Sequence, residues 1–195
     1  YDYDAPISEA GWPTEKFFKT RALFEKHLLP GEKIPDVPPT NAVTSIPPVE
    51  ATEIAPIFDN LPKAISSAEP LTMEKYNQGY GDILYRTTIP AGDAATLEAN
   101  SVHDFGFVFL DGQKIGVMNR RTNNFKVNLP AREKPATLDI LVEAMGRVNY
   151  GKGIADRKGI HAPVTLNGKE LTDWNVFCLP LDKKMIERLK FQKLT

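Results

Sequence analysis

From about Pro70 onward, short apolar runs and stretches of apolar–polar alternation are separated by clusters of Gly, Pro, Asn and Asp. This is the pattern of successive β-strands. Ile83-Leu84-Tyr85-Arg86-Thr87-Thr88-Ile89 is β-branched and aromatic, and Pro90-Ala91-Gly92 ends it. Phe105-Gly106-Phe107-Val108-Phe109-Leu110 is apolar at both parities, which predicts an interior strand. Asp111-Gly112 then separates it from Gln113–Met118, a type I′ hairpin signal, because that turn needs positive φ at both central positions. Phe125, Val127 and Leu129 alternate with polar residues and predict a half-exposed strand. Leu138–Glu143 is a further strand, closed by Met145-Gly146. Val164-Thr165-Leu166 and Leu171 flank a second type I′ candidate at Asn167-Gly168, and Trp174–Leu181 supplies the last strand. Met185–Leu189 predicts a short helix. The predicted fold is mainly β, a jelly-roll β-sandwich over residues 71–195.

The first 70 residues read differently. Over 1–29, an extended Tyr-Asp-Tyr-Asp stretch and a Pro/Gly turn precede a helix from Glu15 to about Leu28. Thr14 is the expected cap and Pro30-Gly31 the terminator. Phe17, Phe24 and Leu28 fall on one helical face, widened by Phe18 and Ala22, and such a face needs a partner. Residues 30–70 hold nine of the sixteen prolines, so extended or polyproline-like linker is expected there. Val43, Ile46, Val49, Ile54, Ile57, Phe58 and Leu61 make this segment too apolar for a free linker. It is expected to run along another surface and to contribute an edge strand.

Charge narrows the function classes. Twenty-four basic residues against 25 acidic give a net charge of −1, and the basic ones are dispersed. That excludes a nucleic-acid footprint and a polybasic membrane patch. No apolar stretch approaches the roughly 20 residues that span a bilayer. No signal peptide opens the chain, and a fragment beginning inside a domain would carry none. Cys178 is the single cysteine, which rules out an internal disulfide, and its Val-Phe-Cys-Leu setting reads as buried strand.

Few residues invite chemistry. Asp2 and Asp4 alternate on an extended stretch, about 7 Å apart on one face, a spacing open to a carboxylate pair. Hydrogen bonding at a strand end is the simpler role. His27, His103 and His161 lack ligand spacing, so neither a metal nor a cofactor is expected. His103-Asp104 reads as a surface-loop hydrogen bond in preference to an orienting pair. Gly146-Arg147-Val148-Asn149-Tyr150-Gly151 supports two readings. In one, Arg147 and Asn149 donate to sugar hydroxyls while Tyr150 stacks on a ring. In the other, Arg147 pins a loop by donating to backbone carbonyls. Trp174 alternates with Leu171 and Val176 and suits core or interface better than a sugar platform.

Several runs together resemble the C-terminal part of family-35 glycoside hydrolases, the β-galactosidases. They are Tyr1-Asp2-Tyr3-Asp4-Ala5-Pro6, Gly81–Thr88, the Asp111-Gly112 hairpin, Leu141–Gly151, Lys158-Gly159-Ile160 and Leu171–Trp174. The resemblance implies that residues 1–29 are the terminal strand and helix of a catalytic (β/α)8 barrel. It further implies that 30–70 is a crossover linker and that 71–195 is a galactose-binding-like jelly roll. It makes Tyr3, and less directly Tyr1, substrate contacts of a parent enzyme that removes terminal β-galactose. That enzyme's two catalytic glutamates map to nothing in this sequence, so the chain by itself is expected to be inactive. The implied partners are the upstream barrel and galactosides, with docking or self-association through the helix face. The implied compartment is periplasmic or secreted, or lysosomal in a eukaryote.

Overall fold

The computed structural model describes residues 3–194. These fall into two compact units that divide between Glu50 and Ala51.

In the first unit the helix α1 runs Glu15–Glu25. Thr14 precedes it in extended conformation, but its side chain does not cap. The hydroxyl donates backward instead, to the carbonyls of Pro6 (2.9 Å) and Ala5 (3.2 Å), tying the helix entry to the loop before it. The helix stops short of Leu28 because Lys26 and His27 close tighter turns onto the Leu23 and Phe24 carbonyls. No α1 residue is buried; Phe18, Leu23 and Phe24 stay exposed within this unit. The stretch after the helix has no regular element. It is strapped down by Arg21 donating to the Pro35 carbonyl (2.6 Å) and Trp12 to that of Asn41 (3.2 Å).

Among the described residues the second unit holds twelve antiparallel strands. They are β1 (Glu53–Ile54), β2 (Ile65–Ser67), β3 (Asp82–Ile89), β4 (Ala95–His103), β5 (Phe105–Leu110) and β6 (Gln113–Asn119). The rest are β7 (Lys126–Leu129), β8 (Ala136–Glu143), β9 (Gly159–Leu166), β10 (Lys169–Glu170), β11 (Trp174–Leu179) and β12 (Gln192–Lys193). A six-stranded sheet, β2-β11-β3-β8-β5-β6, packs on a four-stranded one, β10-β9-β4-β7, while β1 and β12 pair separately. The fold is therefore mainly β, a sandwich of antiparallel sheets. β5 is interior, as its apolar faces predict. Both hairpin turns form, with φ of +48° and +81° at Asp111-Gly112 and +49° and +79° at Asn167-Gly168. Val127 and Leu129 on β7 point inward while Lys126 and Asn128 face out.

The core between the sheets contains Tyr85, Leu97, Val102, Met118, Ile140, Ile160 and Trp174. The outer face of the larger sheet is covered as well. Leu84, Phe177 and Leu179 pack there against Ile57, Phe58, Leu61 and Met185, the last on the short helix α2 (Lys183–Ile186). This second layer explains why β3 and β11 are apolar at both parities. It also shows where the apolar residues of the proline-rich stretch go: Ile57, Phe58 and Leu61 pack on the sheet and β2 extends its edge, whereas Val43, Ile46 and Val49 remain exposed. Cys178 is half-buried where its neighbours on β11 predict full burial, and desolvation pushes its thiol pKa up. No described helix is long and apolar enough to cross a membrane.

Candidate functional site

The loop between β8 and β9, residues 144–158, carries the sugar-site candidates and is fixed at both ends by charged groups. Gly146 turns the chain out of β8 at φ +104°, a conformation that favours glycine. Arg147 then folds back onto the sandwich. Its Nε and Nη2 donate to the Gly79 carbonyl at 2.9 and 2.8 Å, and its Nη1 pairs with Glu74 on the 3-10 turn Met73–Tyr76. The same Glu74 oxygen accepts from the Lys158 backbone N–H at 3.0 Å. Burial pushes the Glu74 carboxyl up, but these bonds outweigh it and hold it at about 2.

The far end of the loop enters a buried ionic cluster. Lys158 is 2% exposed, and its ammonium lies 2.6 Å from Asp104 and 3.0 Å from Asp156. Arg120 pairs with Asp104 at 2.7 Å and forks onto both oxygens of Asp156 at 2.7 and 3.0 Å. Two cations thus face two carboxylates. Each acid is pushed up by burial and pulled down further by Arg120 and Lys158, so that Asp156 sits at about 2 and Asp104 is lowered too. Asp104 also accepts from the Met145 N–H at 3.1 Å, which ties the start of the loop to the same cluster. His103 is beside it, 3.0 Å from Asp156, with its ring 4.2 Å from that of His161. Both rings approach the Arg157 carbonyl, at 2.9 and 3.1 Å. The surface-loop reading of His103-Asp104 is therefore corrected: Asp104 is buried, and its partners are Arg120 and Lys158.

The remaining candidates scatter. Asn149 and Tyr150 lie on the loop, where Tyr150 is 84% exposed. Trp174 is 1% exposed in the core, and its indole N–H donates to the Leu171 carbonyl at 3.0 Å. Tyr3 is exposed, and Asp4 pairs with Lys16 at 3.1 Å. Tyr1 and Asp2 lie outside the described residues. Among the described residues, no group of three or more His, Cys, Asp or Glu side chains is arranged to hold a metal.

Spacing gives no signal for the Asp104–Arg120–Asp156–Lys158 cluster, whose members are brought together from three places in the chain. The Lys158-Gly159-Ile160 run is the trace it leaves. Lys158 supplies the buried ammonium and Ile160 enters the core. Gly159, at φ +96°, leaves room for the Tyr85 hydroxyl, which would sit 2.4 Å from any added Cβ. That hydroxyl donates to the Leu71 carbonyl at 2.6 Å and accepts from the Ile160 N–H at 3.3 Å.

The family description "Beta-galactosidase, first all-beta domain" matches residues 70–181. The chain belongs to the β-galactosidase family. A Xanthomonas manihotis β-galactosidase is 40% identical over 184 residues, covering 93% of this chain and 30% of that protein. The Homo sapiens β-galactosidase is 42% identical over 189 residues, covering 93% and 27%, and that of Mus musculus 38% over 198, covering 96% and 30%. The chain thus spans less than a third of the length of the β-galactosidases it matches.

The cluster makes stability depend on pH. Glu74 and Asp156 bind protons more weakly folded than unfolded, so their contribution is full above the ordinary carboxylate range and is lost as pH falls towards about 2. Burial also lowers His103 below its usual 6.5, and stability falls as pH drops below that value. Asp82 works in the opposite sense. Burial and the facing Glu143 raise it, so its protonation relieves the folded state. Since Glu74 and Asp156 are each worth about 2 kcal/mol or more, the urea midpoint is expected to slip modestly from pH 7 to 5 and to collapse below about pH 4. A midpoint unchanged down to pH 3 would contradict the assigned pairs.

Proposed function

We propose that this chain is a non-catalytic accessory part of a retaining β-galactosidase, in which the sandwich braces the catalytic barrel. The observation that supports this reading is the use of the loop's polar groups. Arg147 is spent on Gly79 and Glu74, and Asp156 and Lys158 on each other and on Asp104 and Arg120. These groups hold a loop in place; they do not present donors to a ligand. The carboxyls around the loop are ion-paired and held ionised, so none of Glu74, Asp104 or Asp156 can donate the proton that a departing sugar oxygen requires. In this reading the acid/base and nucleophile stand on the part of the barrel that lies outside the stretch covered by this chain. The purified chain is expected to leave a 4-nitrophenyl β-galactoside intact over prolonged incubation. Hydrolysis that survives repurification and disappears in an Asp4→Asn or Glu9→Gln variant would overturn the reading.

One observation favours a second reading. Tyr150 projects from a firmly rooted loop with its ring open to solvent, as a stacking platform would. In that case the sandwich is a carbohydrate-binding module for galactose-containing glycans.

A further inference from the structure

A groove on the second unit, away from the loop and its ionic cluster, has the make-up of a small-ligand site. It lies where α2 and the following turn meet the Asp59–Lys63 segment, and it encloses about 630 Å³. Sites for small molecules typically span about 300–1,000 Å³, with an apolar floor and a few placed polar groups. The floor here is Leu61, Cys178, Pro180, Met185 and Leu189, all half-buried. The rim is cationic: Lys63, Lys184, Arg188 and Lys190 surround it, and among the described residues none of their side chains has a hydrogen-bond or ion-pair partner. Of the two acids at the edge, Asp182 is used in capping α2, accepting from the Met185 N–H at 2.8 Å. Four unpartnered cations against two carboxylates leave a positive field over an apolar floor.

We propose that this groove binds a small amphiphilic anion, an apolar chain ending in one carboxylate or similar acid, with the chain on the Leu61–Leu189 floor and the head at Lys184 and Arg188. The floor rejects a fully polar anion, whose hydration it cannot replace, and the rim distinguishes the anion from a neutral amphiphile of the same length. An acidic peptide would fit the charge but leave the apolar floor uncovered.

Cys178 makes the test site-specific, since it is the only thiol in the chain and lies in the floor. The whole chain would be alkylated with iodoacetamide, in the presence of decanoate below its micellar concentration, decanol or acetate. Saturating decanoate is expected to slow labelling about tenfold, since access to the thiolate governs the reaction, while decanol and acetate leave the rate unchanged. The K184Q/R188Q variant alters only exposed side chains. It should keep its unfolding midpoint and lose about tenfold in decanoate affinity, the scale of two solvent-exposed charge contacts. No protection, equal protection by decanol, or unchanged affinity in the variant would each overturn the proposal. Protection by phosphatidylglycerol vesicles but not by monomeric decanoate would do so too, by assigning the surface to a bilayer. None of these outcomes bears on the bracing role.

Discussion

Lys158→Met is expected to lower the unfolding free energy by about 3–5 kcal/mol, the cost of removing one partner from a buried ion pair. The ammonium at 2% exposure balances Asp104 and Asp156 together, 2.6 and 3.0 Å away. Without it, Arg120 alone faces two buried carboxylates, and one of them must take up a proton or draw in water. Adding Asp104→Asn should therefore recover part of the loss, although Asp104→Asn is itself destabilising. That sign reversal between backgrounds is what a double-mutant cycle in urea would read. Additive losses would mean that the two groups do not share a charge balance. Lys158→Arg should not rescue, because a larger guanidinium must fit where Lys158 is only 2% exposed, and Arg120 already takes up the forked geometry.

Gly159→Ala is expected to cost about 3 kcal/mol or more, combining a left-handed backbone penalty with overpacking. The added methyl would meet the Tyr85 hydroxyl at 2.4 Å and the Met73 backbone nitrogen at 3.1 Å. Tyr85 cannot retreat without giving up the Leu71 carbonyl, and Met73 is held by its N–H bond to the Lys158 carbonyl at 2.8 Å. Combining Gly159→Ala with Tyr85→Phe separates the two costs. If the hydroxyl contact dominates, Tyr85→Phe should be less harmful in the Gly159→Ala background than in the parent chain. Thermal unfolding of the four proteins reads the difference directly.

These two residues show how far the sequence carries. Local chemistry was legible: Asp111-Gly112 and Asn167-Gly168 sit at positive φ because the turn type demands it. The two-sided apolar run Phe105–Leu110 lies inside a sheet for the same kind of local reason. β4 was not legible. Its inward residues Ala95, Leu97 and Ala99 are small or few, and a register shift between Ala99 and Ser101 breaks the alternation before Val102. Nor was the real end of α1, set by turns closing at Lys26 and His27. At the loop, Arg147 could be read from the run that contains it, whereas its partner Glu74 lies 73 residues away. The buried cluster joins three separate stretches of the chain, around 104, 120 and 156–158, and no periodicity announces a charge pair that forms only when two sheets have closed.

The central claim is that this sandwich supports an enzyme without holding sugar itself. The most direct test is two-dimensional amide NMR of the chain titrated with galactose and lactose, with glucose as the control. The bracing account predicts a well-dispersed spectrum whose Arg147, Asn149 and Tyr150 amides do not move at tens of millimolar sugar, on the order of the weakest specific sugar binding. Saturable, galactose-selective shifts centred on Tyr150 would contradict it and make the loop a carbohydrate-binding site.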